Sequence, residues 1–183
     1  MRDYYQDQPL LEAEAYGILR ELGLMDLLAM YGRPYLVGSV PLRTIVKLDV
    51  DINVVLQQEL FDSCLAITQA LFFQRHIADV RWTNLLYQQA IKLSLDRYPA
   101  PSGDWSIDMI LTPNPATEAL VHLEWVAERM TEEARQAILA IKAHYYHRGE
   151  YCRGLGYRIY QAVLDQGVRN VDEFKRLVPR KVP

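Results

Sequence analysis

Residues 37–52 read VGSVPLRTIVKLDVDI, with a Gly-Ser pair at 38–39 and two aspartates, Asp49 and Asp51, in an apolar run. Successive side chains of a β-strand point to opposite faces, so Asp49 and Asp51 are predicted to share one face. Two neighbouring carboxylates repel each other unless protons or cations neutralise them. The pair therefore favours a site for a hard divalent cation, which prefers oxygen ligands.

A second stretch, WSIDMILT at residues 105–112, shows the same alternation. Its apolar residues are predicted to face the core, and Asp108 to lie on the opposite side. Asp104 has the same parity, so periodicity cannot choose between the two. We prefer Asp108 because it lies in the middle of the strand, whereas Asp104 follows Ser102-Gly103. An ordinary strand with one solvated face would also account for these aspartates.

Hydrophobic periodicity predicts the remaining elements. A helix is expected over 8–31 and a strand over 33–38. A short helix is expected to open at Ser39, with Pro41 in its first turn. A strand over 48–56, a long helix over 58–77, two strands within 79–98 and a strand over 105–112 complete this part.

After residue 113 the pattern is helical throughout. Asn114-Pro115 predicts the start of a helix through Met130. Thr131 is expected to cap a helix to about residue 146, and a third helix is expected over roughly 150–165. Asn170 and Glu173 resemble a capping box for the last one. The sequence thus predicts an α+β protein: residues 1–113 form a small mixed-sheet core with a leading helix, and residues 114–183 form a C-terminal helical subdomain.

Charge and cysteine content restrict the partners. Residues 1–128 carry nine Lys and Arg against seventeen Asp and Glu, whereas residues 129–183 carry eleven against six. An acidic sheet part disfavours a nucleic-acid partner. No segment is apolar enough to cross a membrane. The two cysteines, Cys64 and Cys152, form no spaced cluster, so a reduced cytoplasmic chain without structural zinc is expected.

These motifs together resemble the nucleotidyltransferase superfamily, the fold shared by polymerase β, aminoglycoside nucleotidyltransferases and small antitoxin-type nucleotidyltransferases. The family signature is an apolar residue, Gly, Gly or Ser, a spacer of about nine to thirteen residues, then two acids separated by an apolar residue. Here it reads Val37-Gly38-Ser39, nine residues, then Asp49-Val50-Asp51-Ile52. A third acid between apolar neighbours on a later strand fits Asp108. The resemblance covers roughly residues 32–113.

The resemblance implies roles for these residues. Gly38 and Ser39 would contact the phosphates of a nucleoside triphosphate, with the positive end of the following helix directed at them. The family often has a basic residue soon after the Gly-Ser pair, here Arg43. Asp49, Asp51 and Asp108 would bind two Mg²⁺ ions, and Asp108 would also help to deprotonate the acceptor. The nucleotide is expected to be ATP.

Two functions follow from the resemblance. The first is metal-dependent transfer of a nucleoside monophosphate from the triphosphate to a hydroxyl of a small-molecule acceptor. The second is an antitoxin-type or regulatory protein of the same fold that binds or modifies a partner protein. A homo-oligomer is compatible with either. The stretch HYYHRGEYCRGLGYRIY at residues 144–160 could stack a base and bind phosphate, although helix packing is preferred for it.

Overall fold

The computed structural model describes residues 3–177, and within that range it contains five β-strands and seven α-helices. The strands are β1 (Gly32–Val37), β2 (Asp49–Leu56), β3 (Val80–Leu85), β4 (Ala90–Ala100) and β5 (Gly103–Thr112). The helices are α1 (Gln8–Glu21), α2 (Leu24–Ala29), α3 (Leu60–Phe72), α4 (Glu118–Arg129), α5 (Glu132–His147), α6 (Leu155–Leu164) and α7 (Val171–Leu177). None of the described helices is long and apolar enough to cross a membrane.

The strands form one mixed sheet in the order β1-β2-β5-β4-β3. Only β2 and β5 pair in parallel, and the other neighbours are antiparallel. A parallel pair needs a long crossover, which here contains α3 and the β3–β4 hairpin. The predicted α+β class with a small mixed sheet is confirmed.

One face of the sheet is apolar and forms the main core. The alternating apolar residues of β2 and β5 have at most 1% of their surface exposed and pack with residues of α1, α2 and α3: Val50, Ile52, Val54, Trp105, Ile107, Met109 and Leu111. The intervening residues of both strands therefore lie on the other face. That face carries the aspartates singled out in the sequence.

A second apolar cluster joins the C-terminal helices. It contains buried residues of α4, α5, α6 and α7 together with Leu42 from the segment after β1. Leu139 of α5 belongs instead to the main core. The division of the chain after residue 113 stays a prediction.

The helix predicted to begin at Ser39 is wrong. Residues 38–43 form consecutive turns, closed by hydrogen bonds from Arg43 N to Val40 O and from Thr44 N to Ser39 O, each 3.0 Å. Arg43 has φ 53°, a left-handed conformation that a right-handed helix cannot contain. The next three residues, 44–46, are β-branched and are weak helix formers.

Hydrogen bonds from other elements hold this irregular segment. The Gln8 side chain donates to Ile45 O and accepts from Ile45 N, both at 2.8 Å. Lys142 Nζ donates to Thr44 O at 2.7 Å, and the Tyr160 hydroxyl lies 2.6 Å from Thr44 Oγ1. The N–H and C=O of Ile45 and the C=O of Thr44 are thus satisfied by α1 and α5, and α6 pairs with the Thr44 side chain.

Several predicted boundaries move. Gly23, at φ 55°, separates α1 from α2 within the expected 8–31 helix. Helix α4 begins after Thr117, whose hydroxyl accepts from Leu120 N, and not at Asn114, which instead accepts from Ala116 N in a turn. Helix α6 begins at Leu155, later than expected.

Two predicted helix caps are confirmed. Thr131 Oγ1 accepts from Ala134 N at 3.2 Å at the start of α5. Asn170 and Glu173 pair at the start of α7, where Asn170 Oδ1 accepts from Glu173 N at 3.0 Å and Asn170 Nδ2 donates to Glu173 Oε1 at 2.8 Å.

Candidate active site

The Gly-Ser pair follows directly after β1 and lies beside the acids. Val37, the last residue of β1, is in register with Asp51. Gly38 has φ 74°, and a Cβ at this position would lie 2.4 Å from Asp51 Oδ2. Only glycine combines that conformation with so close an approach. Ser39, which is 9% exposed, follows it in the turn segment over 38–43.

The parallel pairing of β2 with β5 brings the predicted acids together. Asp51 is opposite Asp108, and Asp49 is opposite Ser106. Neighbouring strands lie about 4.8 Å apart, and both side chains point to the same face of the sheet. Asp104 is exposed at the start of β5, where it is in register with Pro99 of β4. The structure therefore groups Asp108, and not Asp104, with the β2 pair.

Two lysines neutralise the outer carboxylates. Lys47 Nζ lies 2.9 Å from Asp49 Oδ2, and Lys92 Nζ lies 2.8 Å from Asp108 Oδ2. Ser94 also donates to Asp108 Oδ1 at 2.6 Å. No described residue forms a salt bridge with Asp51, which lies between these pairs. The central carboxylate is thus the one without a cation of its own.

Burial, and after it repulsion from the Asp49 and Asp108 carboxylates, raises the pKa of Asp51 to about 7. The acids also act on Lys47. Burial opposes the charge of its ammonium group, but Asp49, and after it Asp108 and Asp51, raise its pKa. A bound cation beside Asp51 would relieve the repulsion that raises its pKa.

The donor set is suitable for Mg²⁺ in its chemistry, although as placed no three His, Cys, Asp or Glu side chains of residues 3–177 form a ready metal-binding group. Three carboxylates on adjacent strands provide hard oxygen ligands. Lys47 is 48% exposed and Lys92 is 30% exposed. Both ammonium groups reach solvent, so a divalent ion that binds these carboxylates can displace them.

The C-terminal helices face the Asp49–Asp51 pair across a cavity of about 200 Å³, here called the acid cavity, which Asp108 does not line. Gly38, Ser39, Lys47, Asp49 and Asp51 line one side of it. The other side is lined mainly by residues from α4, α5, α6 and the α5–α6 connection: His122, Lys142, Tyr151, Tyr157 and Tyr160. Part of the Tyr-rich stretch therefore faces the acids, although Tyr160 also packs in the C-terminal apolar cluster. Binding of a base or phosphate by this stretch stays a prediction.

Lys142 is the most deeply buried cation at this site, with 5% of its surface exposed. Its Nζ lies 5.6 Å from the centre of the Tyr160 ring and 6.0 Å from that of Tyr151. Burial opposes the charge, but Tyr160, Tyr151 and the β2 aspartates raise the pKa of Lys142. A protonated lysine is thus held at the wall of the acid cavity.

Arg43 is not brought to the acids. Its Nε lies 3.3 Å from Glu12 Oε2 on α1, and its side chain lines a separate cavity beside Tyr5 and Glu132. The left-handed turn at this residue directs the chain away from the Gly-Ser pair. Lys47 and Lys142, and not Arg43, are the cations that line the acid cavity.

A larger cavity of about 650 Å³, here called the aromatic cavity, adjoins the acid cavity. His122 and Tyr157 line both. The His122 ring stacks on Trp125, with centroids 5.5 Å apart and 24° between the planes. Burial lowers the pKa of His122, which favours the neutral imidazole. The aromatic cavity thus offers flat apolar surfaces next to the acids.

The sequence signals for the added residues differ in strength. Lys47 has the same parity as Asp49 and Asp51, so extending the alternation two residues back would have found it. His122 and Lys142 lie on helices far from the Gly-Ser motif along the chain. Only tertiary packing places them at the acid cavity.

Comparison with known proteins identifies the fold. The sequence matches no family model and no curated protein. Two solved structures of Cid1 poly(U) polymerase match. The one in complex with its short product ApU has a TM-score of 0.52 at 10% identity and covers 80% of this chain and 47% of that one. The MgGTP-bound one has a TM-score of 0.55 at 11% identity, with coverages of 75% and 43%.

This chain spans less than half the length of those polymerases. The chain shares the fold of these Cid1 structures, and the nucleotidyltransferase-like fold predicted from the sequence is confirmed.

Proposed function

We propose that this chain is a nucleotidyltransferase that moves a nucleoside monophosphate from a magnesium-bound nucleoside triphosphate to a hydroxyl of a small-molecule acceptor. The observation that supports this most is the meeting of three elements: the Gly38 turn, the Asp49–Asp51 pair and Asp108 on the parallel neighbouring strand. The second support is the fold that this chain shares with Cid1 poly(U) polymerase, whose structure was solved with MgGTP bound.

The triphosphate would lie in the acid cavity. Gly38 leaves room for backbone to approach a phosphate, and Ser39 can donate to one. Lys47 and the buried Lys142 would balance the negative charge of the β- and γ-phosphates. Two Mg²⁺ ions held by Asp49, Asp51 and Asp108 would polarise the α-phosphate and stabilise charge on the attacking and leaving oxygens.

In the reaction, the acceptor hydroxyl oxygen bonds to the α-phosphorus while the bond from that phosphorus to pyrophosphate breaks. Asp108 would take the hydroxyl proton. Ser94 and Lys92 hold its carboxylate at 2.6 Å and 2.8 Å, which fixes the geometry that proton transfer requires. Among the described residues, neither Asp49 nor Asp51 accepts a hydrogen bond from a hydroxyl group, so Asp108 differs from both.

The nucleobase would enter the aromatic cavity. His122, Trp125 and Tyr157 provide stacking surfaces there, and base–aromatic stacking tolerates every base. ATP is the first nucleotide to test. We place the reaction in a reducing cytoplasm, where the two free cysteines would persist.

The test measures pyrophosphate release with each of the four ribonucleoside triphosphates, Mg²⁺ and a set of hydroxylated acceptors. We expect acceptor-dependent release that Asp49→Asn abolishes. A protein of this fold that only binds a partner would show no thermal stabilisation by Mg·ATP, because a ligand stabilises only the state that binds it. That result would overturn the proposal, as would unchanged release by the Asp49→Asn variant.

A further inference from the structure

Asn53 is a buried side chain with no partner. It is 1% exposed, and neither its Nδ2 nor its Oδ1 has a hydrogen bond in the structure. Buried amides are paired in the large majority of cases, so an unpaired one requires an explanation. Asn53 lies on β2 between Tyr35 of β1 and Ile110 of β5 in the sheet register.

Asn53 lines a cavity of about 390 Å³, here called the polar cavity. It follows Asp51 by two residues on one strand, and Ile110 follows Asp108 by two on the next. Both pairs share the acid face, and two residues of a strand span about 7 Å. Asn53, on the wall of the polar cavity, thus lies about 7 Å along the strand from Asp51, on the same face of the sheet.

The lining of the polar cavity differs from that of the aromatic cavity. Five of its side chains carry uncharged hydrogen-bonding groups: Asn53, Gln88, Thr112, Asn114 and Thr117. None of its described lining residues is aromatic. A nucleobase would find no stacking surface there, although such surfaces usually provide affinity for bases. Hydroxyl groups, which both donate and accept, match amides and hydroxyls.

We propose that the polar cavity binds the acceptor of the transfer reaction, and that Asn53 selects it by a paired donor and acceptor contact. The acceptor presents a non-aromatic group rich in hydroxyls, such as a sugar or cyclitol ring. This assignment rests on the proposed function. One acceptor hydroxyl bonds to the α-phosphorus, its proton passes to Asp108, and pyrophosphate leaves. The others bind the polar cavity.

Asn53 makes this contact by turning toward the cavity that it lines, since both amide atoms are shielded from water as placed. Specificity from such a group is strong, because a ligand without the matching hydroxyls leaves the buried amide unpaired. Glu118 and Arg153, which are both exposed, are the charged residues of the lining.

The experiment uses two readouts on the full chain. Ligand-detected NMR with myo-inositol, methyl glucoside and trehalose, in the absence of nucleotide, tests binding to the polar cavity. Pyrophosphate release with ATP, Mg²⁺ and the compound that binds best tests transfer. Asn53→Leu keeps the number of side-chain heavy atoms and removes the amide, and Asn53→Ala is a second, smaller variant. Gln58→Leu makes the same kind of change at an exposed position outside the cavity.

We expect Asn53→Leu and Asn53→Ala to raise the acceptor KM at least about tenfold. Mg·ATP binding should stay unchanged in both, and Gln58→Leu should resemble wild type. Unchanged KM in the Asn53 variants, absence of NMR binding by all three compounds, or binding of the dinucleotide ApU in their place would each overturn the inference. If a compound binds but Mg·ATP gives neither thermal stabilisation nor pyrophosphate release, the result would instead contradict the proposed function. The assignment of the cavity to such compounds would stand.

Discussion

Gly38 lies against the carboxylate of Asp51: a Cβ at residue 38 would stand 2.4 Å from Asp51 Oδ2. The turn that would contact phosphate and the acid that would bind metal are therefore fitted to each other. Any side chain at residue 38 has to move Asp51 or the end of β1.

We expect Gly38→Ala to weaken Mg·ATP binding at least about tenfold, because the displaced Asp51 loses its alignment. The φ of 74° adds a backbone cost of about 1–2 kcal/mol for a residue other than glycine. Gly17→Ala is the matched control, since nothing lies within 4 Å of a Cβ there. That change should leave binding intact and stabilise α1 by about 0.5–1 kcal/mol. Equal nucleotide affinities for the two variants, measured by calorimetry, would refute the fit between Gly38 and Asp51.

The choice of Asp108 over Asp104 gives a second prediction. Asp108→Ala should lower the rate of pyrophosphate release at least about a hundredfold, as expected for loss of a positioned base or metal ligand. Asp104 is exposed and lies opposite Pro99. Asp104→Ala should therefore lower the rate of pyrophosphate release less than about tenfold. Steady-state rates of both variants decide. A larger loss in Asp104→Ala would mean that the third acid is misassigned.

The raised pKa of Asp51 predicts a pH effect on stability without metal. The folded protein keeps this proton up to about pH 7, whereas the ordinary pKa is 3.8. Between these values the folded state binds more protons than the unfolded state, so stability falls as pH rises from about 4 to about 7. Below pH 4 and above pH 7 this group adds no slope.

Melting temperatures in EDTA test this effect. The difference between Asp51→Asn and wild type should grow in favour of the variant across pH 4–7 and then level off. Adding Mg²⁺ at pH 8 should stabilise wild type more than the variant. A difference that stays constant from pH 4 to pH 8 would show that Asp51 does not carry the raised pKa.

Much of the sheet could be predicted from the sequence because alternation is a local signal. It placed Asp49, Asp51 and Asp108 on polar faces of two strands, which the structure shows. The register that sets Asp51 opposite Asp108 is a property of the parallel pairing, and no pattern within either strand specifies it.

The failed helix at Ser39 shows the limit of local signals. Serine followed by proline is a common helix start, but here Gln8, Lys142 and Tyr160 take the hydrogen-bonding groups of residues 44 and 45. Those three residues lie far away along the chain. Contacts of this kind override propensity and cannot be read from a window of ten residues.

The Gln8 contact is itself testable. Gln8→Leu would leave both the N–H and the C=O of Ile45 without partners in the interior. We expect a loss of about 2–4 kcal/mol in the free energy of unfolding. The exposed Gln6→Leu should change it by less than about 0.5 kcal/mol. Urea denaturation of both variants measures the two values, and similar stabilities would show that Gln8 does not hold the turn segment.

Metal-dependent nucleotide binding at the three aspartates is the central claim, and calorimetry with a non-hydrolysable ATP analogue tests it most directly. Wild type and Asp104→Asn should bind the analogue with Mg²⁺ and lose affinity in EDTA. Asp51→Asn should remain folded and bind at least about a hundredfold more weakly, as for removal of a charged metal ligand. Equal Mg²⁺-dependent affinities for wild type and Asp51→Asn would contradict the account.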